Sequence, residues 1–368
     1  MKIYPFQAIY PELEIITSVD SFFGSVKHQF EKYRKTGFFK RASQEAFYIH
    51  EIIKFGRVYR GLIATTDISD FLDNKILVHE NTLAAKQQTM MELLLDRKAM
   101  IKPILLGYDN NSKIDAYLEK FVKNNKPVVK GDFEETEESH RFYEIADGNE
   151  ILKLSKLFNG IKKSYIADGH HRRATILHLY KKKKFRAEKG VRQTFLTAMF
   201  PFTDLEIYDF NRVATVFDII SRNAFIVALS KYCKIKLLNK PRKPKSKFEI
   251  TMYFDGEWFS LKWKKKMLDN TKKSKVVLDA DLLNEYVFNQ ILSIEDVKVT
   301  SRVKYYEGVN GLDNVIYTVN SDSKKVGFCI YPVTIDELKL VADNKLDLPP
   351  KSTWFEPRMK NGMISEDF

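Results

Sequence analysis

Asp168, Gly169, His170, His171 and Arg172 follow one another in the stretch SYIADGHHRRATILHLYKKKK, residues 164–184. Tyr165, Ile166 and Ala167 read as the end of a buried strand, Asp168 and Gly169 as a turn. Ile176, Leu177 and Tyr180 recur at helical spacing. The polar cluster therefore belongs on the first turn of a helix, where unpaired backbone N–H groups and the positive dipole end attract anions, phosphate above all. His170, His171 and Arg172 add donors there. The bland alternative is plain capping. A metal cage is not expected: adjacent histidines on a helix diverge, and His171 and His178 lie two turns apart, about 10 Å by helix rise. No HExxH or paired Cys/His spacing occurs elsewhere.

Two further clusters could do chemistry. In VHENT (78–82), His79 and Glu80 set an imidazole beside a carboxylate just past an apolar run, an arrangement suited to acid–base work. The same residues also suit a helix start, with Asn81 or Thr82 as the cap and Glu80 favouring the dipole. In PPKSTWFEPR (349–358), Lys351, Ser352, Thr353 and Arg358 could line a phosphate pocket, with prolines stiffening the loop and Trp354 and Phe355 anchoring it. A packed structural tail explains that stretch as well.

The elements that must position these residues alternate. Strands are expected over 46–53, 57–65, 101–108, 126–133, 141–146 and 194–200, and 75–82 reads as a strand running into a polar turn. Helices are expected over 66–72, 83–97, 113–124, from about 147 to 158 and after Gly169. Residues 134–138 read as an acidic exposed loop. LEIYDFNR (205–212) reads as a strand ending on an exposed Asn-Arg, so that Arg212 is a candidate for the same pocket. A helix to about Lys231, a hairpin over 248–263 turning on Asp-Gly, two more helices and a strand follow. The Pro-rich tail is expected to be irregular. The pattern is mixed α/β or α+β, with a break near 200–215.

Bulk composition excludes several classes. With 368 residues, 44% hydrophobic and 30% charged, a packed globular core is expected. No signal peptide and no apolar run long enough to cross a bilayer is visible. The two cysteines, Cys233 and Cys329, cannot make a disulfide framework. A reducing cytoplasm is the natural setting. The net charge of +13 lies largely in local runs (180–186, 239–247, 262–266, 272–275) that read as solvated helix ends and loops. They lack the interleaved aromatic platforms of single-strand binders, so nucleic acid is not an expected partner.

The clusters together resemble the domain of unknown function 1015 family. The matching features are YIADGHHR (165–172), ILVHENT (76–82), YDFNR (208–212) and LPPKSTWFEPR (348–358), in the family's order. Two family features differ: TSVDSF (17–22) stands where members commonly carry Pro-Tyr-Asp, and KQQTM (86–90) where many have an Asp-Arg pair. More widely, DGHHR at a strand-to-helix switch is similar to the phosphate motif of the ParB/sulfiredoxin-like fold and of free-serine kinases. A sulfiredoxin-type thiolate is excluded because His170 stands at the cysteine's place. No helix-turn-helix reader of the ParB type is seen.

The resemblance implies an α+β (mixed α/β) chain with a ParB/sulfiredoxin-like core over residues 1–205 and a C-terminal α+β part over 206–368. It implies a phosphotransferase acting between ATP or ADP with Mg²⁺ and a small hydroxyl or amino-acid substrate, serine or phosphoserine first. Gly169, His170, His171 and Arg172, with His79 and Thr82, would hold the nucleotide. Glu80 would take the hydroxyl proton, and Asp168 would position that hydroxyl or a Mg²⁺. The other reading is a non-catalytic nucleotide-binding regulatory module. The oligomeric state is open.

Overall fold

The computed structural model describes residues 1–368 except 82–83, 187–189 and 271–275, and except the side chains of 84–86 and 270. Thr82 and the whole 272–275 basic run therefore lie outside the described residues. The chain divides into two compact units. Met1–Glu206 together with Pro357–Phe368 form the first, and Ile207–Glu356 the second. The closing twelve residues, expected with the C-terminal part, belong with the first unit.

The first unit is built on a nine-stranded mixed sheet. In chain order its strands are β1 (Ile3–Tyr4), β2 (Phe47–Lys54), β3 (Arg57–Asp67), β4 (Ile76–Leu77), β5 (Ile104–Tyr108), β6 (Val129–Phe133), β7 (Glu138–Ile145), β8 (Ser164–Asp168) and β9 (Thr194–Pro201). They lie side by side as β4-β8-β5-β9-β3-β2-β7-β6, with β1 against β3. β8 runs parallel to β4, and β9 parallel to β5; the other pairings are antiparallel. Every residue of β5 and β9 is buried, as expected of continuous apolar strands covered on both faces. The edge strand β6 alternates buried and exposed, with one face to water.

Five longer helices pack around this sheet: α1 (Val19–Lys35), α2 (Ala84–Arg97), α3 (Ser112–Asn124), α4 (Gly148–Asn159) and α5 (His170–Lys181). Asn111 caps α3 and Asp147 caps α4, each accepting from two backbone N–H groups of the first turn. In α1, to which the sequence reading assigned no element, Val19, Phe23, Val26 and Phe30 form a buried stripe at helical spacing. The strand expected at the start of 75–82 is the short β4, which ends at Leu77, and beyond it the chain turns toward α5.

The second unit carries a six-stranded antiparallel sheet. Its strands are β10 (Phe210–Thr215), β11 (Cys233–Leu238), β12 (Glu249–Phe254), β13 (Glu257–Trp263), β14 (Val303–Glu307) and β15 (Lys325–Cys329). The order is β11-β13-β12-β15-β10-β14. Asp255 and Gly256, both at positive φ, turn β12 into β13 as the Asp-Gly signal requires. Helices Arg222–Tyr232, Asp313–Asn320 and Ile335–Asp343 accompany the sheet. The expected tail is not wholly irregular: Trp354–Glu356 pairs with Glu206–Tyr208. Cys233 and Cys329 are buried and unbridged, and burial pushes both thiols up to about 12. Among the described residues no helix is long and apolar enough to cross a membrane.

Candidate functional site

β8 lies between β4 and β5, and its pairing with β5 shifts register between Ile166 and Asp168. That irregularity re-aims Asp168 at the strand's end. Gly169 then caps α5 at φ +114. Glycine suits this position on two counts. The φ is one that L side chains rarely adopt, and a Cβ would meet Arg172 Nη2 at 2.8 Å.

Because Gly169 leaves that space open, Arg172 folds back over the turn. Its Nη2 donates to Asp168 Oδ2 at 2.9 Å and to the Pro103 carbonyl at 3.3 Å. Lys102 Nζ sits 3.1 Å from the same carboxylate oxygen. Arg358, from the closing segment, reaches Asp168 Oδ1 at 3.4 Å. One carboxylate thus gathers Lys102, Arg172 and Arg358, leaving a surplus of two positive charges at the N-terminus of α5. Burial alone would raise the Asp168 carboxyl, but Lys102, Arg172 and Arg358 outweigh it and hold it well below the usual carboxylate range. Lys102 is lowered to about 8, by burial against the opposing pull of Asp168. All four side chains keep some exposure, from 18% at Lys102 to 35% at Arg358, so a solute can reach them.

His170 turns into the protein and is 4% exposed. The His79 backbone N–H points at its Nε2, 3.4 Å away. Its Nδ1 lies 3.6 Å from Glu80 Oε2. Burial pushes this imidazole down to about 3, so it is neutral at neutral pH. Accepting at Nε2 assigns the single proton to Nδ1, the nitrogen that faces Glu80. The His79 ring packs edge-on against His170 with centroids 4.4 Å apart, and is itself buried and held far below its ordinary pKa by burial. Glu80, with 46% of its side chain exposed, stands at the solvent side of this pair. His171 is half-buried. His79, Glu80, Asp168, Gly169, His170 and Arg172 therefore share one locality with Arg358, although 90 to 190 residues separate their contacts.

The remaining candidates lie in the second unit. Asn211 and Arg212, read as exposed, are both fully buried. The Arg212 guanidinium lies 5.4 Å over the Tyr305 ring and donates to the Phe210 carbonyl, and Asn211 Nδ2 donates to the Gly311 carbonyl. Lys351 Nζ sits 5.0 Å over the Phe210 ring, and the buried Ser352 hydroxyl donates to the Pro349 carbonyl. Thr353 is half-buried beside them. Sequence reasoning did not single out Lys102. The available signal was a lysine inside the apolar run IKPILLGY, a costly place for a cation without a partner. Among the described residues no group of three or more His, Cys, Asp or Glu could hold a metal ion.

The family described as Protein of unknown function (DUF1015) matches residues 8–282. The chain belongs to that family. Among curated proteins no match is found for this DUF1015 chain. Among solved structures it is similar to SbnI with C-terminal truncation from Staphylococcus aureus, at 12% identity and a TM-score of 0.41 over 81% of this chain and 85% of that one. A free serine kinase in complex with AMP overlaps at 14% identity and a TM-score of 0.39, covering 82% of this chain and 92% of that one. A conserved hypothetical protein from Pyrococcus furiosus overlaps at 14% identity and a TM-score of 0.39, covering 83% and 94%.

Proposed function

We propose that this DUF1015 chain transfers a phosphoryl group between a nucleotide, ATP or ADP, and the hydroxyl of a small metabolite. The observation that carries the reading is the Asp168 cluster: three cations on one ionised carboxylate, at the start of a twelve-residue helix, with a carboxylate on a neutral imidazole close by. Lys102, Arg172, Arg358 and the first N–H groups of α5 would neutralise and orient phosphate oxygens, which is most of what phosphoryl transfer asks of a protein. Glu80 would accept the proton as the substrate oxygen bonds to phosphorus and the bond to the departing phosphate breaks. Neutral His170 would hold Glu80 in place by donating from Nδ1.

Asp168 does not fit as a magnesium ligand, since both its oxygens face cations. Mg²⁺ would arrive on the nucleotide's own phosphates. Serine as the acceptor rests on the His79-Glu80 and DGHHR likeness to free-serine kinases. Glu80→Gln tests the reading, assayed with ATP and ADP in Mg²⁺ against serine, phosphoserine and other small hydroxyl compounds. Turnover should fall by about 10²- to 10⁴-fold, the usual worth of a positioned base, with nucleotide affinity nearly unchanged. Turnover equal to wild type removes Glu80 as the base. Nucleotide binding by wild type with no transfer across the panel replaces the enzyme by a regulatory nucleotide-binding module.

A further inference from the structure

Next to the Asp168 cluster, within the first unit, a cleft with about 560 Å³ of open space, its mouth included, lies between α2 and α5. Lys102 and Arg172 belong to both places: they hold Asp168 and they line the cleft. A molecule anchored by phosphate on those cations therefore has its next atoms at the cleft.

The cleft's chemistry is unlike that of the cluster. Met90, Leu93 and Leu94 of α2 are half-buried and present an apolar wall to the cleft, and Met100, Ile101 and Ile176 continue it. Thr175 stands three residues after Arg172, so the two share a face of α5. It is 2% exposed, lines the cleft, and its hydroxyl has no hydrogen-bond partner among the described residues. Arg172 Nε likewise has none. Buried polar atoms of this kind call for a partner from outside the chain. A hydrocarbon tail would suit the apolar wall and leave Thr175 unsatisfied. A sugar would satisfy Thr175 and leave the wall wet. A flat heteroaromatic ring meets both demands, apolar on its face and polar on its edge. Met90 to Leu94 spans about 6 Å of helix, the length of a fused two-ring system.

We infer that the cleft takes the purine ring of a nucleotide, with the Thr175 hydroxyl on the ring edge and the Met90–Leu93–Leu94 wall on its face. The inference rests on the reading of the Asp168 cluster as the phosphate site.

The test is calorimetric titration of the full chain with ADP, CDP and inorganic pyrophosphate. Wild type should bind ADP at least about tenfold more tightly than pyrophosphate, and more tightly than CDP. Met90→Trp, which fills the mouth, should weaken ADP by about tenfold and leave pyrophosphate within about twofold. Thr175→Val, nearly isosteric, should weaken ADP by roughly threefold to tenfold with pyrophosphate again unchanged. Retained pyrophosphate binding also certifies that each variant is folded. If pyrophosphate binds as tightly as ADP, or neither variant changes ADP, the cleft holds no base while the phosphate site stands. If CDP equals ADP, the purine preference is overturned. If neither ADP nor pyrophosphate binds wild type, the phosphate reading has failed and the cleft assignment goes with it.

Discussion

Each unit carries a motif-borne cluster of charge, and the two are built in opposite ways. In the first unit Asp168 is one anion among Lys102, Arg172 and Arg358, each partly open to solvent. Opposing charges there overcome burial and keep the carboxylate ionised. In the second unit Arg212 is fully buried against Tyr305, and burial lowers its pKa despite Asp209 and Asp281. Asp209, also buried, is raised by that burial although Lys243 Nζ lies 3.3 Å away. Similar residue types therefore mean different things. A surplus of reachable cations is a place for an anion to arrive, whereas a cation sealed under an aromatic ring is part of the packing.

The sharpest way to break this contrast is to remove the central anion. Asp168→Asn keeps the shape and leaves Lys102, Arg172 and Arg358 without their counter-charge. Urea unfolding should show a loss of about 2 kcal/mol, the cost of stripping one partner from a partly desolvated set, discounted for its exposure. An unchanged midpoint would mean that the three cations are fully hydrated and that no surplus charge is stored there.

A second test follows from Lys102, whose pKa is held near 8. Below that pH it is a cation; as pH rises through about 8 the free protein loses the proton, while a bound anion would hold it on. Affinity for inorganic sulfate, whose own charge does not change in this range, should therefore fall by up to about tenfold between pH 7 and 9. Lys102→Arg should flatten the profile. A flat profile in wild type would take Lys102 out of the anion site.

The smallest effect on anion binding is expected in the second unit. Arg212→Met replaces a buried cation by an apolar side chain of similar length. It also takes the donor from the buried Phe210 carbonyl, so stability should fall by about 1–2 kcal/mol, while sulfate affinity should not move at all. A large loss of sulfate binding would make Arg212 part of the anion site and undo the contrast.

How much of this was legible depended on sequence distance. The strand, turn and helix around Asp168 could be read because turn chemistry and helical periodicity are local signals, and the structure has a strand over Ser164–Asp168 and a helix from His170. Lys102 could not be read as a partner of Asp168. Their meeting depends on the antiparallel register of β5 and β8, which no local pattern encodes. Which of two adjacent histidines faces inward was equally hidden. His170 points into the protein because α2 packs on α5 and brings the His79 backbone to its ring. Asn211 and Arg212 read as exposed because polarity is a local property, whereas their cover, Tyr305 and Gly311, comes from about 100 residues away.

The closing segment has a consequence for how the protein is made. Arg358 contacts Asp168, Lys360 contacts Glu138, and Glu366–Asp367 pairs with Ala99–Met100, all within the first unit. A ribosome emits the roughly 150 residues of the second unit before any of these. The nascent first unit therefore waits, holding Lys102, Asp168 and Arg172 without the third cation. Left as a loose loop, so long an interruption would hinder the return of the closing segment, because closing a loop costs entropy that grows with its length. The ribbon formed by Glu206–Tyr208 and Trp354–Glu356 removes most of that obstacle. Once the second unit has folded, its two ends lie side by side, and the long interruption counts as a short loop.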